Sequence, residues 1–238
     1  MTQTTLLVFA RAAGLVARAP GFAHPSVPSV VRAAFALALA FVVAPSVVPV
    51  GRLDLAPFTF AVAGDFALGA AIGFGASLLY DGAYFAGRTI DDYLGVRGSM
   101  PGAHVTSAQA FGRLWSSVFL AAFVLLDGWV PVVRAFAGSF AQVAPGAFVD
   151  GAGWTSYALA LPATILRAAF VVAAPAIAVA AALQLSLAAV ARVVPRFSSF
   201  TLAFPAVFAA GLVVTIATLA ALAPLGAHPW LVVPWSAR

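Results

Sequence analysis

Cysteine and lysine are both absent from this 238-residue chain, and charged residues of any kind make up only 8% of it. The missing cysteine excludes disulfides and thiolate metal sites, and leaves the compartment open. Without lysine the 12 basic residues are all arginines, scattered singly, so no basic run exists to follow a phosphate backbone. Nucleic acid is therefore not expected as a partner, despite a sequence pI near 10.7. The scarcity of charge restricts the class most, because ordinary globular domains are about a quarter charged. With 63% hydrophobic residues there are too few polar side chains to coat a soluble surface of this size. Lipid, or a large partner interface, must cover the rest.

Enzyme constellations are scarce as well. There is no G-x-S-x-G elbow and no Walker P-loop, and His24, His104 and His228 are too isolated for an H-E-x-x-H site. No cofactor or metal is expected. A membrane hydrolase pairing Ser99 or Ser107 with His104 is the one enzymatic reading left, and a histidine facing water or a carbonyl is the plainer one. Asp91 and Asp92 are adjacent, so on a helix they point about 100° apart and do not converge on one substrate atom. A solvated helix end, with Asp92 opposite Arg88 one turn earlier, is the expectation there.

What fills the chain is apolar sequence in six runs separated by short polar or Pro/Gly-rich joints. The first, about 5–17, is split by Arg11, is short for a membrane crossing of about 20 residues, and lacks the basic start of a signal peptide. It is expected to stay attached as a first helix. The second covers 33–50 and ends near a proline. The third, 57–80, contains Gly69 and Gly73 at a small-xxx-small spacing that permits close helix approach, and that Ala/Gly-rich sequence also produces by chance. The fourth covers 114–137. The fifth, 157–191, carries Pro162 and Pro175 and exceeds one crossing, which predicts a kinked or broken helix. After the joint RVVPRFSS, a sixth run from Phe200 completes a helical hairpin. The fold class is all-α: a polytopic membrane-type protein of about six hydrophobic segments forming kinked helical hairpins.

Arginine placement orients these segments. Joints one, three and five hold Arg18, Arg32, Arg88, Arg97, Arg113, Arg192 and Arg196, against Arg52, Arg134 and Arg238 in the others and the tail. The positive-inside rule puts the odd joints, including Arg192 and Arg196, toward the cytoplasm and both termini outside. Three charges, Asp65, Asp127 and Arg167, fall inside apolar runs, where each costs about 2.5–3.5 kcal/mol at the bilayer centre on insertion scales. They are expected to be buried as a relay or, more simply, as an interhelical pair of Arg167 with Asp65 or Asp127, the other plain reading being charges near an interface.

The stretch AGRTIDDYLGVRGSMPG, 86–102, interrupts the apolar sequence with charge and glycine. Its Ala86, Gly87, Ile90, Asp91 and Gly95 form one of several segments through which the chain resembles the FliR/SctT family of type III export-gate proteins. Others are RAPGFAHPSVPSVVRAAFALALAFVVAP, with Pro20, Phe22, Pro28, Arg32 and Pro45, and GDFALGAAIGF, with Asp65 where Glu is commoner. The last is ARVVPRFSSFTLAFPAVFAAGL, with Arg192, Pro195, Phe200, Pro205 and Gly211. Each motif alone is weak; in this order, over most of the chain, they are specific. Arg88, Ser198 and Ser199 depart from the family's usual residues.

The resemblance implies a pore-forming structural component rather than an enzyme. By it the chain would pack with R-type and S-type subunits (flagellar P and Q type), and with other export-apparatus and basal-body proteins, in the bacterial inner membrane. Secreted substrates would pass through unfolded, and lipid would surround the assembly. Residues 1–156 would resemble the R/P-type subunit and 157–238, a helical hairpin, the S/Q-type. The loop 93–108 would be a plug, with Gly95, Gly98 and Gly102 as hinges and Tyr93, Val96 and Met100 as the seal. The injectisome branch is slightly favoured over the flagellar one. The rival reading from another class is a stand-alone transporter or channel with Asp65, Asp127 and Arg167 on its pathway.

Overall fold

A computed structural model describes residues 2–24, 27–94, 110–147 and 151–193, with helical positions at 205, 209–214, 216, 217 and 220. It is all-helical: α1 (Gln3–Arg18), α2 (Ser29–Val43) followed by a 3-10 turn (Ala44–Ser46), α3 (Leu55–Leu94), α4 (Ala110–Leu125), α5 (Trp129–Gln142) and α6 (Gly151–Val193). Three helical segments among the described residues, Ser29–Ser46, Leu55–Thr89 and Ala173–Val190, are long and apolar enough to cross a membrane. The pair α4 and α5, bent by 70° at its break, makes a fourth if taken as one span. The architecture is that of an all-α polytopic membrane protein.

The chain divides into two compact units. One contains α1, α2, α3 up to Leu78, residues 123–125, α5 and α6 up to Thr164. Its centre is α1, the run that looked too short to cross. Thr2 caps this helix, its hydroxyl accepting from Thr5 N at 3.3 Å. Leu7, Val8, Ala12, Leu15 and Val16 are then buried along one broad face, and the other side of the helix is half-buried. A helix covered this far by protein needs no lipid-matching length. Its first turn is tied to the joint before α3: the Gln3 amide donates to Leu53 O at 3.0 Å and accepts from Leu53 N at 2.9 Å, and Val50 N donates to the Thr4 hydroxyl at 3.0 Å. At its other end the chain turns through Gly21, with φ of 84°, and Phe22 stacks on Phe35 of α2.

The other unit contains Leu79–Leu94, α4 up to Ala122 and α6 from Ile165. Phe111, Trp115 and Phe119 recur one turn apart along α4 and are fully buried, which is the packing face of that helix. α4 ends where Asp127 takes a left-handed backbone (φ 53°) and Gly128 N donates to Phe123 O at 2.8 Å. One apolar run of the sequence thus becomes two helices.

Two sequence expectations are revised. α3 is one helix of 40 residues that continues well past the apolar run, through Asp81, Arg88 and Asp91. α6 runs 43 residues through Pro162 and Pro175 without interruption. Each proline removes one N–H from the ladder and crowds the carbonyl one turn before it, a local cost that the surrounding turns absorb without a break in the helix.

Candidate functional site

The largest concentration of polar chemistry in the first unit lies where α1 crosses α3. Gly14, Gly69 and Gly73 allow that crossing. A Cβ on Gly69 would stand 1.8 Å from Arg11 O, one on Gly14 2.0 Å from Phe66 O, and one on Gly73 2.7 Å from Leu15 O. The small-xxx-small spacing of α3 is therefore a true contact surface, matched by Gly14 on α1.

This approach delivers Arg11 to Asp65, both excluded from solvent. Arg11 Nε donates to Asp65 Oδ1 at 2.7 Å, and Nη2 donates to the same oxygen, closing a salt bridge. Asp65 Oδ2 accepts from Gly146 N at 2.9 Å, beyond the end of α5. Arg11 Nη1 donates to the Ser139 hydroxyl and to Val143 O, both at 3.0 Å, and the guanidinium lies over the Phe140 ring at 4.1 Å. One ion pair thus joins α1, α3, α5 and the turn after α5. Such a pair is tolerated out of water only when its remaining lone pairs and protons are satisfied, and here both carboxylate oxygens and both ends of the guanidinium are engaged.

The pairing expected for Asp65 was with Arg167; its partner is Arg11. In the sequence Arg11 interrupts a short apolar run. The available signal was that a lone acidic residue in an apolar helix demands a cation, and that Gly14 provides the small surface beside Arg11 on which α3 packs. Ser139, Phe140 and Gly146 carried no such signal. The other two charges are not buried: Asp127 is exposed at the α4–α5 break, and Arg167 is exposed on α6. Asp127 owes its place to backbone, since Asp is among the few non-glycine residues that accept a left-handed conformation.

In the second unit the segment AGRTID proves to be a helix junction. Ala86 is fully buried, and a Cβ on Gly87 would stand 2.5 Å from Phe111 O and 2.6 Å from Gly112 Cα. Asp91 is not on a solvated helix end as expected but only 4% exposed. Its Oδ1 accepts from Phe111 N at 2.8 Å and its Oδ2 from Gly112 N at 3.0 Å, both in the first turn of α4. A carboxylate there satisfies two helix-start amides and complements the positive end of the helix. Gly211 belongs to the same cluster, since a Cβ on it would stand 2.9 Å from the Phe111 ring.

Tyr93 and Ile90 belong to α3. Gly95, Val96, Gly98, Met100 and Gly102 of the expected plug lie outside the described residues, as do Ser99, His104, Ser107, Pro195, Arg196 and Phe200. Arg192 is exposed in the last turn of α6, and Pro205 is helical and exposed. Among the described residues no group of three or more His, Asp or Glu side chains is placed to hold a metal ion.

No curated protein matches this chain. The family of bacterial export proteins, family 1, does match, over residues 2–230. The buried pair on α1 and α3, the carboxylate between α3 and α4, and the apolar helices therefore belong to a component of a bacterial export apparatus, from a family not known for catalysis. The chain is a member of that family, the FliR/SctT family of type III export proteins.

Proposed function

We propose that this chain is a pore-forming structural subunit of the type III export gate. It packs with R-type and S-type subunits in the bacterial inner membrane, within the secretion basal body, and unfolded substrates pass through the assembly. The observation that carries the proposal is the family match over residues 2–230. The exposed helices support it: only 6% of the Ala173–Val190 window is buried within the chain, leaving a large apolar surface for lipid and neighbouring subunits. In this reading residues 1–156 act as the R/P-like part and 157–238 as the S/Q-like part.

The segment between α3 and α4 is the plug of this proposal, and Asp91 fixes α3 to α4 at its two flanks. Deleting 95–102 is expected to make cells leaky to small solutes while the complex still assembles. Unchanged permeability in an assembled complex would remove the plug role.

The stand-alone transporter reading gains no support from Asp65, which is engaged by Arg11 and the Gly146 amide, nor from Asp127, which serves a helix break. Purification of the tagged chain under mild detergent tests the main proposal. Small two- and four-helix membrane proteins are expected to co-purify. Solute transport by the chain alone in liposomes, with no such proteins recovered from cells, would overturn it.

A further inference from the structure

Within the first unit, the start of α1, the end of α2 with its 3-10 turn, and the joint before α3 meet around an open cavity of about 970 Å³. Hydrogen bonds fix its shape: Gln3 holds both backbone groups of Leu53, and Thr4 holds Val50 N, so the joint is tied to the helix start. Part of the lining is apolar, from Phe41, Ala44, Pro45 and Val47, and part is polar, from Thr2, Thr5, Arg52 and Asp54. A preformed pocket of this size with a few convergent polar groups is of the kind that holds a small ligand.

Arg52 and Asp54 stand on either side of the tied Leu53 and are exposed. Neither side chain makes an ion pair or hydrogen bond with any described residue, the other of the two included. A cation and an anion held at one cavity without closing on each other suit a ligand that carries both signs. The cavity also lies at a membrane boundary. Ser29–Ser46 and Leu55–Thr89 are both long and apolar enough to cross a membrane, and each has one end here. From the cavity an exposed apolar stripe runs back along α2 through Phe41, Leu37, Ala34 and Val30, at alternating four- and three-residue spacing.

We infer that this cavity binds a phospholipid with a zwitterionic, primary-amine headgroup, a phosphoethanolamine lipid. Its phosphate sits against Arg52, its ammonium against Asp54, and an acyl chain follows the stripe from Phe41 to Val30. Arginine suits the phosphate because its guanidinium offers two parallel N–H donors, and the start of α1 brings the positive end of a helix to the same cavity. A purely anionic headgroup leaves Asp54 facing negative charge. A choline headgroup has no N–H to give Asp54, and Phe41 is the one aromatic ring among the described lining residues, short of the cage that quaternary ammonium uses. A water-soluble ligand leaves the stripe uncovered. The inference stands on the membrane fold and goes beyond the export-gate role.

The test titrates the full-length chain, purified in mild detergent, with phosphatidylethanolamine, phosphatidylglycerol and phosphatidylcholine of identical acyl chains, read by native mass spectrometry. Phosphatidylethanolamine is expected to bind at least about tenfold more tightly than the other two. Arg52→Gln is expected to weaken that binding about tenfold. Asp54→Asn, which keeps a residue suited to a helix start, is expected to bring it down to the level of phosphatidylcholine. Glycerophosphoethanolamine, the same headgroup without acyl chains, is expected not to displace the lipid at equal concentration. If either charge variant fails to fold, Val47→Trp fills the cavity with both charges intact and decides the question, with loss of the lipid expected. Equal binding of the three lipids, an affinity unmoved by Arg52→Gln or Val47→Trp, an intact preference in Asp54→Asn, or displacement by glycerophosphoethanolamine each overturns the site. None of these readouts needs a partner protein. Failure of the lipid site therefore leaves the export-subunit reading standing, and failure of other subunits to co-purify leaves the lipid site standing.

Discussion

Arg11 and Asp65 hold each other out of water, and among the described residues neither is paired with a second opposite charge. Breaking such a pair leaves an uncompensated buried charge, at a cost of about 3–5 kcal/mol. Arg11→Ala or Asp65→Ala is therefore expected to lower the melting temperature in detergent sharply, while a double replacement of both by leucine loses less than either alone. A double variant as unstable as the sum of the singles would show that the two residues act independently. Asp91→Ala removes the acceptor from two amides at the start of α4, at about 1–3 kcal/mol for each buried group left unsatisfied. Asp65 was legible in the sequence because a carboxylate in an apolar run is conspicuous. Its partner was not, because Arg11 sits in a run too short to be taken for a packed helix, and the three-dimensional crossing that joins them spans 54 residues of chain.

Helix contact in this protein depends on small residues more than on matched side chains. The backbones of α1 and α3 touch at Gly14, Gly69 and Gly73, and in an apolar solvent that close packing is what drives helices together. Gly69→Val would put its side chain into the Arg11 carbonyl and is expected to separate the helices, which protease sensitivity of α1 in membranes reads directly. Gly138→Ala serves as the contrast: an added Cβ there meets nothing within 4 Å, and in a helix interior Ala is favoured over Gly by about 0.5–1 kcal/mol. Equal loss of stability from both substitutions would contradict the close-approach account. Apolar periodicity and length made the helices legible at this scale, but not their ends. α3 continues through charged residues because Asp91 and Gly87 find buried positions against α4, and the fourth run breaks because Asp127 and Gly128 adopt a turn that a hydrophobicity pattern does not encode.

The arginine distribution predicts a topology, and the structure sharpens what it implies for the N-terminus. With α2 and α3 counted as spans, the positive-inside rule predicts joint two on the outer side and joints one and three in the cytoplasm. α1 is 16 residues, about 24 Å, and is buried by protein, so its length says nothing about which side it starts from. Its hydrogen bonds do: Gln3 and Thr4 are bonded to Leu53 and Val50 of joint two, which puts the first residues at the level of that joint. Of the arginines in the odd joints, Arg18 lies over the Phe74 ring at 3.9 Å and is partly committed to packing. Without it the odd joints still hold Arg32, Arg88, Arg97, Arg113, Arg192 and Arg196, so the arginine count still predicts the same orientation. The chain has no cysteine, so single cysteines report cleanly. Thr2→Cys and Val48→Cys are expected to react together with a membrane-impermeant maleimide on intact spheroplasts, and Val193→Cys, 81% exposed at the end of α6, only after permeabilisation. If Val48→Cys required permeabilisation and Val193→Cys did not, the orientation would be inverted. If Thr2→Cys and Val48→Cys instead reacted from opposite sides, the α1 crossing itself would be wrong, and with it the burial of Arg11 against Asp65.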